Sequence, residues 1–173
     1  MIEVDRYQRE LSDEDIETLR TSKKEADYGS LHQHSDFSIL DGFASVDMIF
    51  QRAAKLGHSF TGIADHGTVA AHLKAERAGI KYGVKPVFGI EAYVVPRPIQ
   101  ELKAEKAAEK SKERIKNSHG CLWAMNQQGL RNLWTLATLS TLPENTYYKP
   151  LMSFDMLREH SEGLFFSDGC LLS

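Results

Sequence analysis

Three short segments gather most of the side chains able to bind metals or move protons. The first is Leu31-His32-Gln33-His34-Ser35-Asp36-Phe37-Ser38-Ile39-Leu40-Asp41-Gly42. In a strand, residues two apart project to the same face, so His32 and His34 can both reach one cation. Two imidazoles so placed suit zinc, manganese or iron. A lone His-x-His is more often two ordinary histidines beside a turn, but the carboxylate of Asp41 before Gly42 shifts the balance toward a metal site. In the second segment, Gly62-Ile63-Ala64-Asp65-His66-Gly67, an apolar run stops abruptly at an acid, an imidazole and a glycine. Parallel α/β folds place their chemistry at the carboxyl ends of strands, where Asp65 and His66 fall. The plain alternative is a capped βα turn in which Asp65 satisfies helix N–H groups. The third segment, Phe88-Gly89-Ile90-Glu91-Ala92-Tyr93, sets an acid among apolar residues. A buried carboxylate needs a cation, so Glu91 calls for a metal, for Lys or Arg, or for an edge facing water. His119, just before the apolar run Cys121 to Ala124, and Cys170, just after the run ending in Phe166, are further donors. Either alone is more often a packing or surface residue. With the other donors, a thiolate makes a set typical of zinc more than magnesium. His58, His72 and His160 sit on or beside helical patterns in polar settings and take no role.

The elements that must position these donors follow from the hydrophobic pattern. Short apolar runs at Gly29 to Leu31, Phe60 to Ala64, Val87 to Val95, Cys121 to Ala124 and Leu164 to Phe166 alternate with helical stretches at about 45 to 56, 68 to 82, 99 to 116, 127 to 141 and 153 to 160. That alternation predicts βα units around a parallel sheet. Ser45 can cap the helix carrying Val46, Ile49, Phe50, Ala53 and Leu56, and Gly57 can end it in a left-handed turn. The stretch 97 to 118 has little apolar content and holds 7 Lys/Arg against 4 Glu, a local charge of +3. Its pairs Glu109 with Lys112 and Glu113 with Lys116 predict a solvated helix, with weak steering of phosphates as the other reading. Residues 1 to 28 are polar, and Ser12-Asp13-Glu14-Asp15 offers a cap and acidic first turn for a short helix in an appended arm.

The bulk composition bounds what this machinery can belong to. At 173 residues the chain holds one domain with a core and is too short for a polymerase palm with its accessory domains. A net charge of -3 gives no support for nucleic-acid binding by the surface as a whole, so any such contact must come from a local patch. Two cysteines do not require a disulfide framework and fit a reducing, cytoplasmic setting. The opening residues have no apolar core of a signal peptide, and no stretch approaches a membrane span.

Taken in order, the segments resemble the PHP domain, the metal-binding phosphoesterase domain at the front of bacterial-type DNA polymerase III alpha subunits. The resemblance rests on His32 through Gly42, Ala64-Asp65-His66-Gly67, Lys85-Pro86-Val87-Phe88-Gly89-Ile90-Glu91-Ala92-Tyr93-Val94, Gly129-Leu130-Arg131-Asn132-Leu133, Tyr147-Tyr148-Lys149-Pro150, and Glu162-Gly163-Leu164 running into Asp168-Gly169-Cys170-Leu171. It covers about Ser30 to the last residue and leaves residues 1 to 28 as an extension. It implies an α/β fold, a distorted (β/α)7 barrel, incomplete at the C-terminus because the family's late Asp-x-His motif is not reached before Ser173. It further implies up to three divalent ions, zinc or manganese, at the strand ends. By matching motif, His32, His34 and Glu91 belong to a first metal site. Glu91, His119 and Cys170 belong to a second, with Glu91 bridging, and Asp41 and His66 belong to a third.

The function so implied is metal-assisted phosphoester hydrolysis, a 3'-5' exonuclease acting on DNA 3' ends in proofreading. Glu91 is then the central ligand and Asp65 orients His66 from behind. The remainder of a polymerase alpha subunit, in cis or as a separate chain, is the implied partner, and the isolated chain can be inactive. Two other readings stay open at this point. One is a non-catalytic module that scaffolds a polymerase. The other is a small-molecule phosphatase of the histidinol-phosphate type, which shares the His-x-His opening but lacks the Ser-Ile-Leu-Asp-Gly continuation and the Tyr-Tyr-Lys-Pro segment.

Overall fold

A computed structural model of the chain describes residues 28–39, 41–110 and 112–169. The helix expected in the arm before Tyr28 lies outside them, as does Cys170. The described residues form two compact units: the first takes those up to Asp65 together with Ala70–Phe88, the second takes His66–Val69 and those from Gly89 onward.

In the first unit, helix α1 (Val46–Lys55) begins where Ser45 accepts a hydrogen bond from the Met48 amide, and it buries Val46, Ile49, Phe50 and Ala53. Gly57 follows at φ 72, the left-handed turn expected there. Strand β1 (Phe60–Ile63) leads toward helix α2 (His72–Tyr82), which ends at Gly83 in the left-handed region. Strand β2 (Lys85–Val95) then starts in this unit, where Phe60 to Ile63 pair in parallel with Lys85 to Phe88. Gly29 to Leu31, expected as a strand, is irregular chain: the Gly62 amide donates to the Ser30 carbonyl at 2.8 Å, and a Cβ on Gly62 would lie 2.4 Å from the Leu31 carbonyl oxygen. Glycine lets the segment press against β1 without a ladder. His72, given no role from its polar sequence setting, is buried, its ring 5.1 Å from that of Phe88.

The second unit is a sheet whose strands, in spatial order, are Thr146–Tyr147, Lys149–Ser153, β2, Ser118–Ala124 and Leu164–Asp168. Strand β3 (Ser118–Ala124) is antiparallel to β2, β5 (Lys149–Ser153) is parallel to it, and β6 (Leu164–Asp168) is antiparallel to β3. The sheet is therefore mixed, where alternating elements predict a wholly parallel one. Strand β4 (Thr146–Tyr147) forms with β5 a hairpin that the pattern did not reveal, turning at Tyr148 with φ 60. Helix α3 (Ile99–Ala108) is half the length expected, and Lys110 follows at φ 51, so the charged stretch from 112 to 117 is not helical. Helix α4 (Gln127–Ser140), capped by Asn126, and helix α5 (Phe154–Glu159), capped by Ser153, match their expected places.

Alternation along β2 and β3 sorts the two faces of this sheet. Ile90, Ala92, Val94 and Leu122 pack with Leu133, Leu136, Ala137 and Met152 into the core under α4. The opposite face carries Glu91 and Tyr93 from β2 and His119 and Cys121 from β3, since Glu91 registers with Cys121 and Tyr93 with His119.

Candidate metal centre

In the first unit His32 and His34 do not lie on a strand, yet their rings stand edge to face with centroids 4.9 Å apart. The loop that carries them is held from beneath by Asp65, only 1% exposed. One carboxylate oxygen accepts the Ser35 amide at 2.6 Å and the Ser38 hydroxyl at 2.7 Å, and the other accepts the Ser35 hydroxyl at 2.7 Å. Three donors on a buried carboxylate offset much of its desolvation cost. The Ser38 hydroxyl also lies 3.4 Å from His34 Nδ1, linking the acid to the imidazole through one side chain. Asp65 therefore supports the loop that carries His32 and His34. Asp41 sits exposed at the end of the same loop, its amide donating to the Ser38 carbonyl at 3.2 Å.

In the second unit the side chain of Glu91 is 3% exposed and lies between two imidazoles. His119 Nδ1 is 2.6 Å from one carboxylate oxygen, and His66 Nδ1 is 3.4 Å from the other. His66 reaches this position because the chain bridges Glu91 in parallel and the Gly67 amide donates to the Glu91 carbonyl at 2.8 Å. Gly67 itself needs φ 62, and a Cβ there would lie 2.8 Å from Pro150. Tyr93 stacks on His66 at 6.1 Å and meets His119 edge-on at 5.1 Å, fixing both rings. His119 is the second residue of β3 while Glu91 lies within β2, and the antiparallel direction of β3 brings them together: the start of β3 lies beside the end of β2.

Cys121 is fully buried next to this cluster, and its thiol is pushed up to about 12, first by burial and then by the negative charge of Glu91. A thiol so disfavoured as an anion is a packing group in this state. Sequence reasoning passed over Ser35, Ser38 and Tyr93. The signal for Tyr93 was available, because it shares the period-two face of Glu91. The serines gave none, because only the tertiary structure brings Asp65 to them.

A buried carboxylate flanked by two imidazole nitrogens is an N/O donor set of the kind that holds first-row divalent cations. Residues 30–173 match the PHP domain family. The chain belongs to that family. This PHP domain is similar to parts of the DNA polymerase III subunit alpha of several bacteria. It is 33% identical to that of Aquifex aeolicus over 145 residues, 37% identical to that of Borreliella burgdorferi over 142 residues, and 33% identical to that of Helicobacter pylori strain J99 over 149 residues. The matches take in 84%, 82% and 86% of the chain but only 12% of each relative, so the PHP domain spans about an eighth of the proteins it resembles. Among the described residues no helix is long and apolar enough to cross a membrane.

Proposed function

We propose that this PHP domain binds divalent cations and serves a phosphoesterase of the DNA polymerase III alpha type, with 3'-5' exonuclease activity on DNA 3' ends when the whole subunit is assembled. The observation that carries this reading is the buried Glu91 carboxylate held between His66 and His119. Such an acid has no structural need of two imidazoles, since neutral packing would be less costly than burying it. Glu91, His66 and His119 are the proposed ligands in the second unit, with His32, His34 and Asp41 in the first and Cys170 as a further sulfur donor. Zinc or manganese fits donors of this softness better than magnesium. When bound, a divalent cation supplies Lewis-acid stabilisation of phosphoryl oxygens. The chain's own part is to hold the imidazoles with their nitrogens turned inward: Tyr93 packs against both rings, and the Gly67 turn fixes where His66 begins.

Elemental analysis of the purified chain and of Glu91→Gln tests the metal reading. The expected result is loss of at least one equivalent of zinc or manganese with the circular dichroism spectrum unchanged. Equal metal content in both proteins refutes the role. Release of a labelled 3' nucleotide from a primer, by the chain joined to the rest of an alpha subunit and abolished by the same substitution, tests the exonuclease assignment. Retained metal without release would leave a metal-stabilised scaffold instead.

A further inference from the structure

A second feature of the same unit lies outside the metal ligands. Arg114 and Lys116, on the chain leading into β3, and Ser118, its first residue, face Tyr147, Tyr148 and Lys149 of the β4–β5 hairpin across a cleft of about 720 Å³. Its charged lining is three cations and no acid, and among the described residues none of the three has an ion-pair partner. Clustered cations on a chain of net charge -3 raise the local concentration of anions, and their mutual repulsion is relieved by an anionic ligand.

The aromatic residues narrow the class of anion. Tyr148 is 77% exposed and holds φ 60, a conformation costly for a bulky side chain and easily taken by Gly or Asn. Its ring stands edge to face with Tyr147 at 4.8 Å, and the Arg114 guanidinium lies 5.1 Å from its centroid. An exposed ring among cations matches what single-stranded nucleic acid needs, a platform for an unstacked base beside charges for its phosphates. A duplex keeps its bases stacked, and simple phosphate would leave the ring unused.

We propose that this cleft is a groove for the end of a single-stranded nucleic acid, in which Arg114, Lys116 and Lys149 take backbone phosphates and Tyr148 stacks on a base. The groove leads to the metal centre. Lys149 Nζ lies 3.9 Å from the centroid of Tyr93, the ring that packs on His66 and His119, and Ser118 of the cleft directly precedes His119. The inference rests on the proposed phosphoesterase reading for the direction of the strand, and its test does not use activity.

The test is fluorescence anisotropy of the full chain with 5'-labelled oligothymidylate and oligouridylate of about ten nucleotides, in chelator and at low salt. Arg114→Gln with Lys149→Gln should weaken binding about tenfold and lower the slope of log K against log salt by about 1.4, roughly 0.7 for each phosphate that is no longer neutralised. Tyr148→Asn, which tolerates the left-handed backbone, should weaken binding about fivefold or more with the slope unchanged. A matched pair of substitutions in the first unit, Lys55→Gln with Lys85→Gln, should leave affinity as it was. Tighter binding of thymidylate assigns the groove to DNA and tighter binding of uridylate to RNA. No binding by the parent chain, equal binding by parent and cleft variants, or an equal loss in the matched pair overturns the proposal. Metal content measured on the same variants separates the two readings: it should be unchanged, and its loss would place these residues in the metal centre and remove the groove.

Discussion

Asp65 and Glu91 are both buried carboxylates, and their partners give them different work. Asp65 is satisfied by an amide and two hydroxyls, so its role is to hold a loop. Asp65→Ala would strand those donors, each costing about 1–3 kcal/mol when buried without a partner. The expected loss is therefore about 3 kcal/mol, read as a lower urea midpoint with an unchanged slope, whereas Asp65→Asn keeps one acceptor and should lose less. Glu91 faces imidazoles, and its replacement by Gln should register in metal content. Cys121 gives a third test at this scale, since its thiol is raised from near 9 to about 12. In a Cys170→Ser chain, iodoacetamide at pH 8 should leave Cys121 unmodified until urea is added. The linkage has a definite sign. A thiol whose pKa is raised on folding contributes stability that is complete below its unfolded value near 9 and lost as pH rises through about 12.

Between elements, the pairing of α1 with α2 is reinforced at the surface by Asp47, which accepts from Lys81 Nζ at 2.8 Å and from the Tyr82 hydroxyl at 2.7 Å. The hydrogen bond from Lys81, then that from Tyr82, holds the Asp47 carboxyl below its usual range. Its contribution is therefore present above the unfolded pKa near 3.8 and disappears as pH falls through the lowered value. Both side chains of the ion pair are more than half exposed, so solvent screens it, and Asp47→Asn should cost about 0.5 kcal/mol at neutral pH. Thermal melts from pH 7 to pH 3 should show the difference between parent and variant shrinking toward the acid end. The element that departed most from its sequence pattern is α3. Four-residue glutamate spacing favours helix, but that stretch has almost no apolar face to bury, and Ile99 is the one buried residue of α3. Helix thus stops at Ala108, and the freed chain brings Arg114 and Lys116 to the cleft.

For the molecule as a whole, a net charge of -3 leaves no broad basic face, so the proposed cleft should select single strands. A blunt duplex should compete for the labelled oligonucleotide at least ten times more weakly than unlabelled single strand, and equal competition would mean that charge alone drives binding. The amino-acid order alone determined the donor types and their motifs, the capped helix α1, the place of α4, and the family, because caps, amphipathic spacing and short motifs are local. It also placed Glu91 in an apolar strand, which marked it as an acid needing partners. The tertiary structure decided which partners: His66 and His119 for Glu91, Ser35 and Ser38 for Asp65. It reversed the direction of β3, which sequence reads as one more parallel strand, since the order of residues in a strand is silent about which way its neighbour runs. It also set Tyr148 at a hairpin tip beside the Arg114 guanidinium. Contacts between residues some 30 positions apart depend on how loops close and strands register, and no periodicity along the chain encodes that.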